Sequence, residues 1–513
     1  MNLHREATVL PRNKKIWEAC FLLLAGFLLL LFATRSSFLY PCNDWNDANS
    51  YFSMGKALFN GKMPYRDVFD QKGPYLYFLY GLAYLVSHTT FFGVFLLEVA
   101  WAFLDLLGIY QILMLYVKRN TALIFSPLVL AVIVSSKSFY WGGSAEEICF
   151  PFLIWGLYLS LEYFKNSYPK KSMDFRVIFA GGLLAGMVAN IKFTVLGFFF
   201  AWMMCIAFSF LARKDFLGAV TGCLVFLGGM AVPFVPWLIY FGWNHGLYEW
   251  YWGYVYINIF VYSDLNGEGP GLGERIYTLS KLLYWVIRDN LIYFAFLIPG
   301  VIWSFCAGGK KWLERFNVLA LCFFLFLGIY VGGSSLPYYA FPLSVFTVLG
   351  FAWLGRMLEI FMGKLFIKEK SRKSSLMYLA APVFALLIGV GIIWTGSMNI
   401  PHMSDKKEDI FLYKFKEIVE KEENPTLLNI GCLDAGLYTV CDIVPTCRWF
   451  QTQTLAIDDV LKEQEQYIRE GRTSFVLARD SYPAVIWEKY ELAGKEMWHQ
   501  DEFAFTYYLF RRK

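Results

Sequence analysis

Polar and apolar residues alternate along this chain on a scale of about twenty residues, the length an α-helix needs to cross a bilayer's hydrocarbon. Apolar runs cover 16–34, 91–117, 121–136, 147–164, 176–191, 193–212, 216–241, 282–306, 317–331, 339–354 and 376–395. About eleven transmembrane helices are therefore predicted. A further run, 75–87, is apolar but short and follows Gly73-Pro74; it predicts a juxtamembrane or re-entrant helix. The basic start (Arg5, Arg12, Lys14, Lys15) resembles a secretory leader. The run behind it is long enough to span and lacks a small-x-small cleavage site, so it is expected to stay as a membrane helix. Past residue 396 the period shortens. An amphipathic helix over 409–422, a strand over 426–430, a helix over 456–470, a strand over 474–478 and a β-rich run over 503–510 predict a small α/β domain. Two domains are expected: a membrane domain over 1–396 and a soluble one over 397–513.

Lysine and arginine fix the orientation. They crowd into alternate loops: the N-terminus, Lys118-Arg119, Lys165 with Lys170-Lys171, Arg213-Lys214, Lys310-Lys311 with Arg315, and 356–373. The positive-inside rule places these in the cytoplasm. The loop 36–74, the segments 137–146 and 191–192, the loop 242–281, the turn 332–338 and the C-terminal domain then lie outside. Counting 75–87 as a full span would put Lys118-Arg119 and Lys170-Lys171 outside, against the charge pattern. Composition agrees with a multi-pass cell-membrane protein: 57% of the 513 residues are hydrophobic and 17% charged. The net charge of +5 forms no basic stripe, which excludes nucleic acid as a partner. No cysteine pair has zinc-ligand spacing with histidines. Cys432, Cys441 and Cys447 fall in the outer domain, on the oxidising side, which allows one disulfide with a thiol left over and leaves the pairing open.

The candidate chemistry lies in the outer loops. Residues 43–74 carry Asp44, Asp47, Asp67 and Asp70 together with Lys56, Lys62, Arg66 and Lys72. Ionisable groups beside a bilayer are costly to desolvate and mark sites. Asp47 and Tyr51 share a face if the stretch is helical, and a carboxylate there can take a proton from a hydroxyl. The alternative is that Asp44 or Asp47 caps a helix over 48–59. Arg66 and Lys72 suit a lipid phosphate; alternatively they form local pairs with Asp67 and Asp70. Glu146 and Glu147 follow Ser144 at the mouth of an apolar helix, facing substrate or completing a helix cap. Lys192 lies between two spans, to pair with a phosphate or with Glu147, or to snorkel. Tyr338 and Tyr339 belong to an outer turn, as substrate contacts or as belt aromatics. Within the spans, only Asn190 and Lys192 stand out as polar candidates.

An acidic loop after the first helix, a second acid opening a later helix, many spans and an outer C-terminal domain resemble the GT-C superfamily of membrane glycosyltransferases. The chain is most similar to the bacterial branch related to protein O-mannosyltransferases and aminoarabinose transferases. Asp47-Ala48-Asn49-Ser50-Tyr51 matches that branch's Asp-acid-x-x-Tyr stretch, and Lys72-Gly73-Pro74-Tyr75 its Lys-Pro-Pro-like element. Gln71 stands where histidine is common. Ala48 replaces the second acid, leaving Asp44 as the nearest other carboxylate. The similarity covers roughly residues 10–350. It implies inverting, cofactor-independent sugar transfer from a polyprenyl-phosphate donor to an extracytoplasmic envelope acceptor, whether glycan, lipid or protein. Asp47 would take the acceptor's proton, and Arg66, Lys72 and Lys192 would hold the departing phosphate. Oligosaccharyltransferase relatives place a divalent metal between two acidic loops, for which Asp44, Asp47, Glu146 and Glu147 are candidate ligands. The rival class is a transporter or flippase of a lipid-linked or sugar substrate, which would bury charges mid-membrane and show repeats; no repeat is visible.

Overall fold

The computed structural model describes residues 12–261, 271–309, 311–332, 335–365, 375–454, 457–500 and 503–513. Each of the eleven predicted segments is helical over its described residues. Among the described residues, seven helices are long and apolar enough, from Lys14–Ala33 to Pro337–Gly363. The last predicted segment is the 22-residue helix Ser375–Gly396, whereas Arg119–Val134 and Phe175–Ala189 are apolar but shorter. Pro74–Val86 is likewise short, as its position after Gly73-Pro74 predicts.

The predicted span 282–306 is broken. Helices Leu272–Asp289 and Leu291–Ala307 meet at 112°. Asn290 makes the corner: buried, it accepts the Ser138 N–H at 2.9 Å and donates to the Val286 carbonyl at 3.0 Å. The polar run Arg288-Asp289-Asn290 marks the break, and Leu272–Asp289 before it is amphipathic where Leu291–Ala307 after it is apolar.

Four helices position the candidate site: α1 (Arg12–Ala33), α2 (Asn46–Phe59), α3 (Pro74–Val86) and α4 (Phe92–Tyr116). α2 and α3 cross closely enough that a Cβ on Gly55 would lie 2.5 Å from the Gly81 amide nitrogen. The chain between them is held against the turn 190–192: the Gly73 N–H donates to the Ile191 carbonyl at 3.1 Å, and a Cβ on Gly73 would meet the Asn190 carbonyl at 1.9 Å. Glycine at 73 thus brings Lys72 beside Lys192.

The C-terminal domain is a four-stranded sheet of order β1-β2-β4-β3, from β1 (Leu427–Ile430), β2 (Phe475–Arg479), β3 (Tyr490–Gln500) and β4 (Phe503–Arg512). β1 and β2 are parallel; β4 is antiparallel to both of its neighbours. Helices Phe411–Val419 and Asp458–Glu470 complete it. Strand β3 is absent from the sequence reading because its half-exposed, charge-rich residues carry no apolar alternation. Cys432, Cys441 and Cys447 are all free thiols, so the disulfide that the sequence left open is not formed among them.

This domain clamps α2 through a polar stripe that repeats at helical spacing. The Thr439 hydroxyl donates to Asn49 (2.9 Å), Gln451 to Ser50 (2.7 Å), and Ser53 to Asp434 (2.6 Å). Lys56, fully buried, bonds the Tyr438 carbonyl and pairs with Asp442, both at 3.0 Å. A buried cation needs such partners, since desolvating it alone is costly.

Burial pushes the Asp434 carboxyl up to about 6, against the pull of Ser53, the Gly436 amide and Lys56. A raised carboxyl binds its proton more tightly in the folded state, so this contribution favours folding most at low pH. It is lost as pH rises from the ordinary carboxylate value, about 4, through about 6. Relative to the native protein, Asp434→Asn is therefore expected to gain about 2–3 kcal/mol of stability between acidic and neutral pH. Parallel thermal melts of the two proteins across that range check it; a pH-independent difference overturns it.

Candidate functional site

Asp47 sits in the first turn of α2, but it does not cap it. The N-cap residue is Trp45, with no side-chain cap bond. Instead, Asp47 Oδ2 accepts the Tyr338 hydroxyl at 2.7 Å and the Tyr51 hydroxyl at 3.3 Å. Tyr51 is four residues on, one turn along the same face. That face points away from the stripe held by the C-terminal domain, so α2 is buried on both sides. Both of these bonds fall on Oδ2, and none to Oδ1 is found among the described residues. Trp45 packs edge-on against Tyr338 and Tyr140, at 4.9 and 5.3 Å between ring centroids.

Lys192 forms an ion pair with Glu146. It also lies 4.0 Å from the Tyr339 ring centre and 5.6 Å from that of Tyr338, a cation–π arrangement. Burial pushes its ammonium below the ordinary lysine range, Glu146 opposes this, and Lys72 adds to it. The second Glu146 oxygen, Oε2, is buried without a hydrogen-bond partner. Asp70 is buried and accepts the Tyr77 hydroxyl at 2.8 Å; burial pushes its carboxyl up while Lys72 pulls it down. Asp47, Tyr51, Lys192, Glu146, Tyr338, Tyr339, Lys72 and Asp70 therefore come together from α2, the 64–73 loop and three other elements.

Three named residues go elsewhere. Asp44 pairs with Arg35 at 3.1 Å, both 4% exposed, and accepts the Trp498 indole N–H at 2.7 Å. It joins the end of α1 to the C-terminal sheet. Arg66 is 44% exposed, pairs with Asp67 at 2.9 Å and donates to the Asn244 carbonyl at 3.1 Å. Glu147 completes a helix cap: its N–H donates to Ser144 Oγ at 2.9 Å, and its carboxylate accepts the Gly143 N–H at 2.7 Å. Lys192 thus pairs with Glu146 rather than Glu147. The four carboxylates proposed for a metal face four different partners, and no three His, Cys, Asp or Glu side chains cluster as a metal site among the described residues.

Asn190 and Lys192 are not alone as polar candidates within the predicted spans. Glu98 and Asp105 lie inside α4 and are buried. Glu98 accepts the Thr34 hydroxyl at 2.8 Å and lies against Gly142, just before the Glu147 cap. The signal was present, as an acid inside an apolar run is a site by default.

No family model matches the chain, and no characterised protein matches it by sequence. Its fold matches two crystal structures of ArnT from Cupriavidus metallidurans. One is bound to undecaprenyl phosphate (11% identity, TM-score 0.56) and the other is in the apo state (12% identity, TM-score 0.58). Each match covers 97% of this chain and 98% of the other. The chain therefore shares the fold of ArnT over nearly its whole length.

Proposed function

We propose that this multi-pass, GT-C-like protein transfers a sugar from a polyprenyl-phosphate donor to an acceptor hydroxyl on the extracytoplasmic side. One observation carries the reading. The Asp47 carboxylate, fixed by two phenols, lies within electrostatic reach of Lys192, which is close to Lys72. A base beside paired cations is what displacement at a sugar–phosphate bond requires. The undecaprenyl phosphate in the ArnT structure supports a polyprenyl phosphate as the lipid here.

In this reading Asp47 Oδ1 takes the acceptor's proton as the acceptor oxygen attacks C1 of the sugar from the face opposite the phosphate. The C1–O bond breaks, its electron pair leaves with the polyprenyl phosphate, and the anomeric configuration inverts. Lys72 and Lys192 stabilise the charge developing on the phosphate. Glu146 holds Lys192 charged and in place. Asp70 orders the 70–72 loop through Tyr77, whose hydroxyl also accepts the Lys72 N–H at 2.8 Å. Tyr338 orients Asp47, and Tyr339 supports Lys192. The C-terminal domain fixes α2 from behind.

The test is transfer of labelled sugar from a polyprenyl-phosphate donor to an envelope extract by the purified protein in liposomes. Absence of transfer with every polyprenyl-phosphate sugar tried, alongside uptake of the donor, favours a transporter instead. Lys72→Ala is expected to weaken retention of polyprenyl phosphate by about tenfold, the value of one charge-assisted hydrogen bond. Arg66→Ala, which removes only an exposed pair, is expected to change it less than about twofold. Lipid co-purification measures both, and the reverse order overturns the assignment of the phosphate to Lys72.

A further inference from the structure

At the far end of the membrane domain from Asp47 lies a cavity lined by both charged and apolar residues. The start of α4 packs against α2 through stacked Phe91 and Phe52, 5.3 Å between centroids. Its 25 residues then carry the chain about 37 Å to Tyr116, a full hydrocarbon thickness away. There, between Tyr116, Leu161 and Trp303 at helix ends and Arg356 on the helix Thr347–Leu365, opens a cavity of about 1040 Å3.

Its charges are unevenly satisfied. Of the two lining carboxylates, Glu359 accepts the Lys118 N–H (2.6 Å) and the Thr121 hydroxyl (2.7 Å), and Glu314 lies against Gly309. Arg119 pairs with Glu18, and Lys165 covers the Tyr116 ring and bonds the Leu115 carbonyl. The Arg356 guanidinium and the Lys118 ammonium have no ion-pair partner among the described residues. Asn317, 2% exposed, gives its amide N–H bonds to the Leu313 and Glu314 carbonyls and leaves Oδ1 buried without a donor. Two cations lacking an anion and one acceptor lacking a donor describe the complement of a phosphate that carries a hydroxyl or ammonium group.

We propose that this cavity binds the headgroup of an anionic phospholipid in the leaflet opposite the transfer site. The phosphate lies on Arg356 and Lys118, and a headgroup hydroxyl or ammonium donates to Asn317 Oδ1. A lipid rather than a free phosphate compound is favoured by what flanks the arginine. On the same helix Met357, Leu358, Ile360 and Phe361 are 42–59% exposed, a track for acyl chains leading from the cavity into the bilayer. Trp303 and Tyr116, edge to face at 5.1 Å, supply the amphipathic rings found at headgroup depth. The site is independent of the sugar-transfer reading.

The full-length protein reconstituted in nanodiscs tests this. Thermal stability is compared in phosphatidylcholine alone, in phosphatidylcholine with phosphatidylglycerol, and in phosphatidylcholine with inorganic phosphate. Native mass spectrometry counts the retained lipids. Phosphatidylglycerol is expected to be retained over phosphatidylcholine and to raise the melting temperature. Arg356→Gln and Lys118→Gln should each lower its retention by about tenfold, and Arg356→Lys should restore part of it. Equal retention of the two lipids by the wild-type protein overturns the proposal, with no variant needed. An equal gain from inorganic phosphate alone overturns the lipid assignment in favour of a soluble phosphate ligand, and unchanged retention in both glutamine variants overturns the site.

Discussion

Asp47→Asn is expected to reduce sugar transfer by about 10²–10⁴-fold, the range for removing a general base, with little change in folding. Asparagine has the same shape and keeps an acceptor oxygen for the Tyr338 and Tyr51 hydroxyls that now reach Asp47 Oδ2 at 2.7 and 3.3 Å. What it cannot do is take a proton. Initial rates in liposomes, with thermal melts to confirm folding, measure both effects. A loss smaller than about tenfold would remove Asp47 from the role of base. Tyr338→Phe provides a graded control: it deletes one hydrogen bond to the carboxylate, which costs about 1–3 kcal/mol. It should slow transfer by about tenfold, less than Asp47→Asn does, because the carboxylate stays but is held by one phenol fewer.

The second large effect is on stability. Lys192→Met leaves Glu146 buried, with its side chain 2% exposed and no counterion, and breaking a buried pair in this way costs about 3–5 kcal/mol. The double variant Lys192→Met with Glu146→Gln removes both charges and should recover most of that loss. Activity should not return with it, because Lys192 also serves the phosphate. Denaturation midpoints and transfer rates for the two single variants and the double one form a complete cycle. Recovery of activity along with stability would show that Lys192 matters only as the partner of Glu146.

These tests follow from how much of the site the chain announces and how much it conceals. Asp47 with Tyr51 was legible because both lie within one helical turn. Ser144 with Glu147 was legible as a cap for the same reason, and the cap is what formed. Arg66 and Lys72 are six residues apart and equally basic in the sequence. Yet one meets Asp67 and Asn244 at the surface, and the other is drawn inward by the contact of Gly73 with Asn190. No local pattern separates them. Asp44 looked like a second catalytic acid; its partners, Arg35 and Trp498, lie 9 and 454 residues away in the chain.

The sequence by itself determined what depends on composition and short spacing. It carried the membrane domain, because apolar length is set by bilayer thickness. It carried the small α/β domain, because helix and strand periods are local. Only the tertiary structure decided which charges meet. It made Glu146 rather than Glu147 the partner of Lys192, and divided α2 into a face for chemistry and a face for the C-terminal domain. Those outcomes rest on contacts between residues tens to hundreds of positions apart. There, the free energy of burying a charge is settled by whichever partner the fold brings within about 4 Å.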